Sequence, residues 1–71
     1  MEIENKPMFK EGDVVMLKSG GPNMTILCVN NILQVISYDC VWFDKKGKYH
    51  HANHIVEVAL LFVPNVIIQN K

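Results

Sequence analysis

Arginine is absent from this chain. Its 71 residues carry seven lysines against seven acidic residues, so the formal net charge is zero. A neutral chain lacks the long-range field that draws nucleic acid or an anionic membrane. Without arginine it also lacks the planar fork that grips a phosphate or a guanine at two points. A local basic patch is compatible with both facts. Cysteine is scarce: Cys28 and Cys40 alone are too few for the disulfide framework of a small secreted domain. The first residues, MEIENK, lack the positive-then-apolar layout of a signal peptide. Together these features predict a cytoplasmic protein with reduced thiols. No membrane partner is expected, because the apolar run Val58 to Ile68 is too short to span a bilayer and is broken by Pro64 and Asn65.

What is present points to a folded object. Apolar residues make up 49% of the chain, which argues against disorder. The length allows one domain, and one this small buries only roughly 60% of its unfolded surface. Such domains often gain stability from a disulfide, a metal or a partner chain.

Turn signals divide the chain into short strands. Met1 to Pro7 is polar and predicted to be a flexible lead. Lys10-Glu11-Gly12-Asp13 is a turn in which Gly12 can take positive φ. Val14 to Leu17 follows as a strand, apolar throughout, and Ser19-Gly20-Gly21-Pro22-Asn23 is a loop. A second strand is predicted from Met24 to Val29. Asn30-Asn31 is the expected hairpin turn, since asparagine tolerates the left-handed region. A third strand is predicted from Leu33 to Phe43, with Ile36, Tyr38, Cys40 and Trp42 on one face. Asp44-Lys45-Lys46-Gly47 signals a type I turn closed by glycine, with Tyr49 to His54 returning. Ile55 to Val63 reads as strand or short helix, with its valine and leucine density favouring strand. Val66 to Ile68 reads as one further short strand. The expected fold is all-β: a small SH3-like barrel of four to five short, strongly bent antiparallel strands. Residues 8–63 would form it, with 64–71 as a tail that adds a strand or an interface.

Phe9, Gly12-Asp13-Val14-Val15, Leu17-Lys18-Ser19-Gly20-Gly21-Pro22, Met24-Thr25, Cys40 and Trp42-Phe43-Asp44 together resemble the YodC-like family of small bacterial proteins. The resemblance covers Phe9 to Asp44, about half the chain. It implies no activity, because that family has none established. After Gly47 the pattern departs: His54-Ile55 stands where relatives carry a Phe-Pro-type segment, and a longer apolar tail follows. Phe9 to Ile26 also resembles, more weakly, the KOW motif of ribosomal and transcription-elongation proteins, through its Gly-Asp-x-Val strand and glycine-bearing loop.

Several residue groups invite a chemical reading. Gly20-Gly21-Pro22 offers an anion nest, but no Gly-Lys-Ser or Gly-Lys-Thr follows and proline removes a donor. A tight β-connection explains the glycines better. Cys28, Cys40, His50, His51 and His54 could together hold zinc and staple the domain, yet no Cys-x-x-Cys knuckle is present and His50 and His51 face opposite ways along a strand. Two buried free thiols are expected instead, with no cofactor and no metal. A Cys–His nucleophile pair would need an exposed, activated thiolate, and nothing marks one; no enzyme activity is expected. Tyr38 and Tyr49, with Lys45, Lys46 and Lys48, make a candidate surface for a peptide or a stacked base. Trp42 is expected in the core.

The apolar segment Val58-Ala59-Leu60-Leu61-Phe62-Val63, with Val66-Ile67-Ile68, is more than one small barrel needs. Val58, Leu60, Phe62, Val66, Ile67 and Ile68 are therefore the candidate interface. The function expected is a non-catalytic protein-interaction module that self-associates, as a dimer, by strand addition. A nucleic-acid-associated module is the first alternative and a zinc-stapled structural domain the second.

Overall fold

A computed structural model describes residues 6–64 of the chain. The expectations for residues 1–5 and for Val66, Ile67 and Ile68 lie outside the described residues. The first turn forms as its residues dictate. Gly12 sits at φ +92°, the Asp13 carboxylate accepts the Lys10 amide at 3.0 Å, and the Asp13 amide donates to the Lys10 carbonyl. Strand β1 (Val14–Leu17) follows. Gly20 and Gly21, at φ +109° and +117°, turn the chain into β2 (Met24–Ile32). Then come β3 (Val35–Phe43), β4 (Tyr49–Val56), a 3₁₀ turn (Glu57–Ala59) and β5 (Leu60–Phe62).

The five strands form one antiparallel sheet in the order β4-β3-β2-β1-β5. The fold is thus all-β, and a 3₁₀ turn before a last strand that returns to β1 is the layout of an SH3-like barrel. The ambiguous segment after Ile55 resolves into three pieces: the end of β4, the 3₁₀ turn and β5. The Lys18 amide donates to the Ala59 carbonyl and the Val63 amide to the Val14 carbonyl, pinning β5 along β1.

The first hairpin turn is displaced from Asn30-Asn31. Both asparagines lie within β2, and the two-residue turn is Leu33-Gln34, with φ of 52° and 66°. Two successive left-handed residues between the paired Ile32 and Val35 make a type I′ turn. Local preference would place asparagine there; the register of the inward residues overrides it, because sliding the pairing would turn the core face outward.

Two bulges flank one residue of β3. On the β2 side, Ile26 pairs with Cys40 but Cys28 pairs with Asp39, so Leu27 is the extra residue. On the β4 side, Cys40 pairs with Ala52 but Tyr38 with Ile55, and His54 there takes φ 57°. Bulges bend and twist the strand that carries them, and two at the same level curl the sheet around its inner face.

That inner face holds Phe9, Val15, Met24, Ile26, Ile36, Tyr38, Cys40 and Leu60, with Leu17, Val29, Trp42 and Ile55 packed against them. Tyr38 and Cys40 are wholly buried. The apolar β1 is covered unevenly: only Val15 is fully buried, and its three neighbours in the strand are half-buried.

Candidate binding surfaces

The N-terminal segment is tied to the 3₁₀ turn by a small polar network. The Tyr38 hydroxyl donates to the Glu57 carboxylate and accepts the Phe9 amide at 3.3 Å; the same carboxylate accepts the Met8 amide at 2.7 Å. Burial, reinforced by the carboxylate bond, pushes the Tyr38 phenol up to about 12. Tyr38 therefore cannot serve as the surface aromatic expected from the sequence. Its ring meets Phe9 edge to face at 5.4 Å inside the core, and a strand this short of apolar volume needs it there.

Leu60, expected at the interface, is also in the core, at 3% exposure. The strand alternation that buries it turns Leu61 out. Val58, on the 3₁₀ turn, is 73% exposed, and Phe62 is half exposed with its ring stacked on Phe9 at 6.3 Å. Met8, whose amide bonds Glu57 beside this segment, is exposed as well. A shallow groove runs between the start of β3 and the 3₁₀ turn, lined by Val35, Ile36, Val56, Glu57 and Val58.

Cys28 and Cys40 are free thiols in different places. Simple alternation from Met24 and Ile26 sends Cys28 inward. The bulge at Leu27 reverses the phase, so Val29 packs on the core and Cys28 meets Asp39 on the outer face. The expectation of two buried thiols is thus corrected: Cys28 is half-buried, and only Cys40 is in the core. The Asp39 carboxylate gathers the Cys28 thiol at 3.2 Å, the Asn30 amide at 3.0 Å and the His54 backbone amide at 3.0 Å. These donors, the His54 amide first, hold the Asp39 carboxyl below its ordinary value. The bond to Asp39 in turn raises the Cys28 thiol. A thiol held protonated by a carboxylate is the reverse of an activated nucleophile. Burial raises Cys40.

The histidines do not converge with these cysteines. His50 stacks on Trp42 at 5.4 Å and bonds the Asp44 carboxylate at 2.9 Å, His51 is exposed on the opposite face, and His54 lies 3.5 Å from Asn30. Among the described residues no group of three or more histidine, cysteine, aspartate and glutamate side chains is placed to hold a metal ion. The glycine loop is a plain connection, with the Gly20 amide already donating to the Leu17 carbonyl at 2.9 Å.

At the β3–β4 turn the expected geometry forms. Gly47 lies at φ +84°, its amide donates to the Asp44 carbonyl, and the Asp44 carboxylate accepts the amides of Lys46 and Lys48, each at 2.9 Å. The His50 bond, followed by these amides, lowers the Asp44 carboxyl. Lys45, Lys46 and Lys48 are exposed, as is Tyr49. The aromatic beside Tyr49 is Phe43, its direct cross-strand partner, at 5.6 Å between ring centroids. Phe43 was legible only through the hairpin register, since it faces away from Tyr38 and Trp42 along β3. Trp42 is half-buried against the core.

Among the described residues no helix is long and apolar enough to cross a membrane. No curated protein and no solved structure matches the chain. The model of one family, described as uncharacterized small protein (DUF2158), matches residues 10–54. That span runs from the first turn through the His54 bulge and takes in β1, β2, β3 and most of β4. The chain is a member of this family of uncharacterized small proteins.

Proposed function

We propose that the chain is a non-catalytic protein-interaction module, YodC-like within its family, that self-associates as a dimer through the segment from Val58 to Phe62. The observation that carries this reading is the exposure of Val58 at 73%, Leu61 at 45% and Phe62 at 52% around an edge strand. Among the described residues strand β5 pairs with β1 on one side only, so its other side offers backbone groups to a second copy. Burying the exposed apolar residues supplies the gain that a small domain lacks alone. A reducing compartment suits the two thiols, and the cytoplasm is the location this reading implies.

The test is sedimentation equilibrium of the full chain, of Val58→Lys/Leu61→Lys, and of a chain ending at Pro64. A dimer that becomes a folded monomer in the lysine variant is the expected result. A full chain that stays monomeric at high concentration would remove the reading. The truncation reports how far residues 65–71 share in the contact.

A further inference from the structure

The end of the sheet at the β3–β4 turn carries a second surface, built from other residues. Phe43 and Tyr49 oppose each other across the hairpin, yet remain 67% and 54% exposed. Their rings meet edge to face at 63°, so they are not stacked on each other, and both stay mostly exposed. Beyond them the turn projects Lys45, Lys46 and Lys48. None of these three side chains forms an ion pair among the described residues. The turn's one acid makes no ion pair with them: the Asp44 carboxylate bonds the Lys46 and Lys48 backbone amides and His50, and the three lysines outnumber its single charge.

We propose that this tip binds single-stranded nucleic acid, with backbone phosphates on the three lysines and bases stacked on Phe43 and Tyr49. Charge complementarity selects an anionic ligand, and the two open rings select one with planar groups between its charges. Single-stranded nucleic acid has both features: every base has a π-face, and stacking tolerates any sequence. Duplex DNA is the poorer fit, since its bases are already stacked inside the helix and cannot lie on Phe43 and Tyr49. With zero net charge the chain has no long-range field to add, so the affinity rests on contacts at the tip. The inference does not depend on self-association.

The test is titration of the full chain with a fluorescent oligouridine and an oligothymidine. Three neutralised phosphates predict affinity about 20-fold weaker at about 200 mM than at about 50 mM salt. Phe43→Leu and Tyr49→Leu keep apolar bulk while removing the ring, and each is expected to weaken binding about five-fold or more. Lys45→Glu/Lys46→Glu should abolish binding at low salt. Circular dichroism confirms that each variant is folded. Anionic phosphatidylserine vesicles and a polyglutamate peptide serve as competing probes. Equal binding to polyglutamate, capture by vesicles without oligonucleotide binding, or leucine variants that bind like the parent would each overturn the proposal.

Discussion

Removing the Tyr38 hydroxyl isolates the polar contact that closes this fold. Tyr38→Phe keeps the ring, its edge-to-face contact with Phe9 and all of its apolar burial. It deletes the donor to Glu57 and the acceptor of the Phe9 amide. Glu57 is half-buried and still accepts the Met8 amide, so it is partly compensated. The Phe9 amide belongs to a buried residue and has no second partner among the described residues. A buried donor left unpaired costs about 1–3 kcal/mol. In a domain of this size each kcal/mol lowers Tm by about 4–8 °C. The same hydroxyl sets an alkaline limb. In the unfolded chain the phenol titrates near 10, in the fold at about 12. The folded state therefore binds the extra proton between those values. Its contribution is complete below pH 10 and disappears as pH rises through about 12, amounting to about 3 kcal/mol. Urea unfolding followed by Trp42 emission, from neutral pH upward, measures both effects. The parent should lose stability steeply above pH 10, and Tyr38→Phe should start lower and fall less. A variant equal to the parent at neutral pH, with an unchanged alkaline limb, would refute the reasoning.

Two further predictions concern the sheet. A thiol reagent should label Cys28 in the native chain and Cys40 only on unfolding, since Cys40 is wholly buried. Asp39→Asn should speed the native reaction several-fold, because the carboxylate is the first cause holding that thiol protonated; an unchanged rate would contradict this. At the hairpin tip, Leu33 occupies the left-handed region at 90% exposure. Leu33→Asn should stabilise the domain by about 1 kcal/mol, read as a higher urea midpoint, because asparagine adopts that conformation more readily. A lower midpoint would mean that the leucine side chain has a stabilising contact in solution.

The parts of the fold that were legible are those set by residues acting locally. Gly12 and Gly47 adopt positive φ where their turns require it, and the Asp44 carboxylate closes its loop as the type I signal predicts. The strand limits at Val14, Met24 and Tyr49 follow from the same punctuation. The hairpin between β2 and β3 was not legible from Asn30-Asn31. Its turn is set by the pairing of Val29 with Tyr38 and Asn31 with Ile36, contacts between residues distant in sequence. Leucine at a left-handed position is unfavourable locally by roughly 1–2 kcal/mol, and the register holds it there.

The position of the Cys28 thiol was misread for a related reason. Alternation assigns a residue to a face only while the period of two persists, and a single bulge reverses it. Leu27 reverses it in β2, which moves Cys28 out of the core and leaves Val29 in it. The segment ending at His54 reverses it in β4, which brings Ile55 inward after Ala52. Neither bulge has a glycine to announce it; the second uses a histidine at φ 57°. What fixes both is Asp39, an acid on the outer face between them. Its carboxylate takes the amide of His54 on one side and the thiol and amide of Cys28 and Asn30 on the other. An aspartate in mid-strand is a poor β-former in isolation. Here it takes up the His54 amide at the β4 bulge and ties the Cys28 and Asn30 side chains beside the β2 bulge, and the curl it stabilises lets one sheet wrap Tyr38 on its inner face.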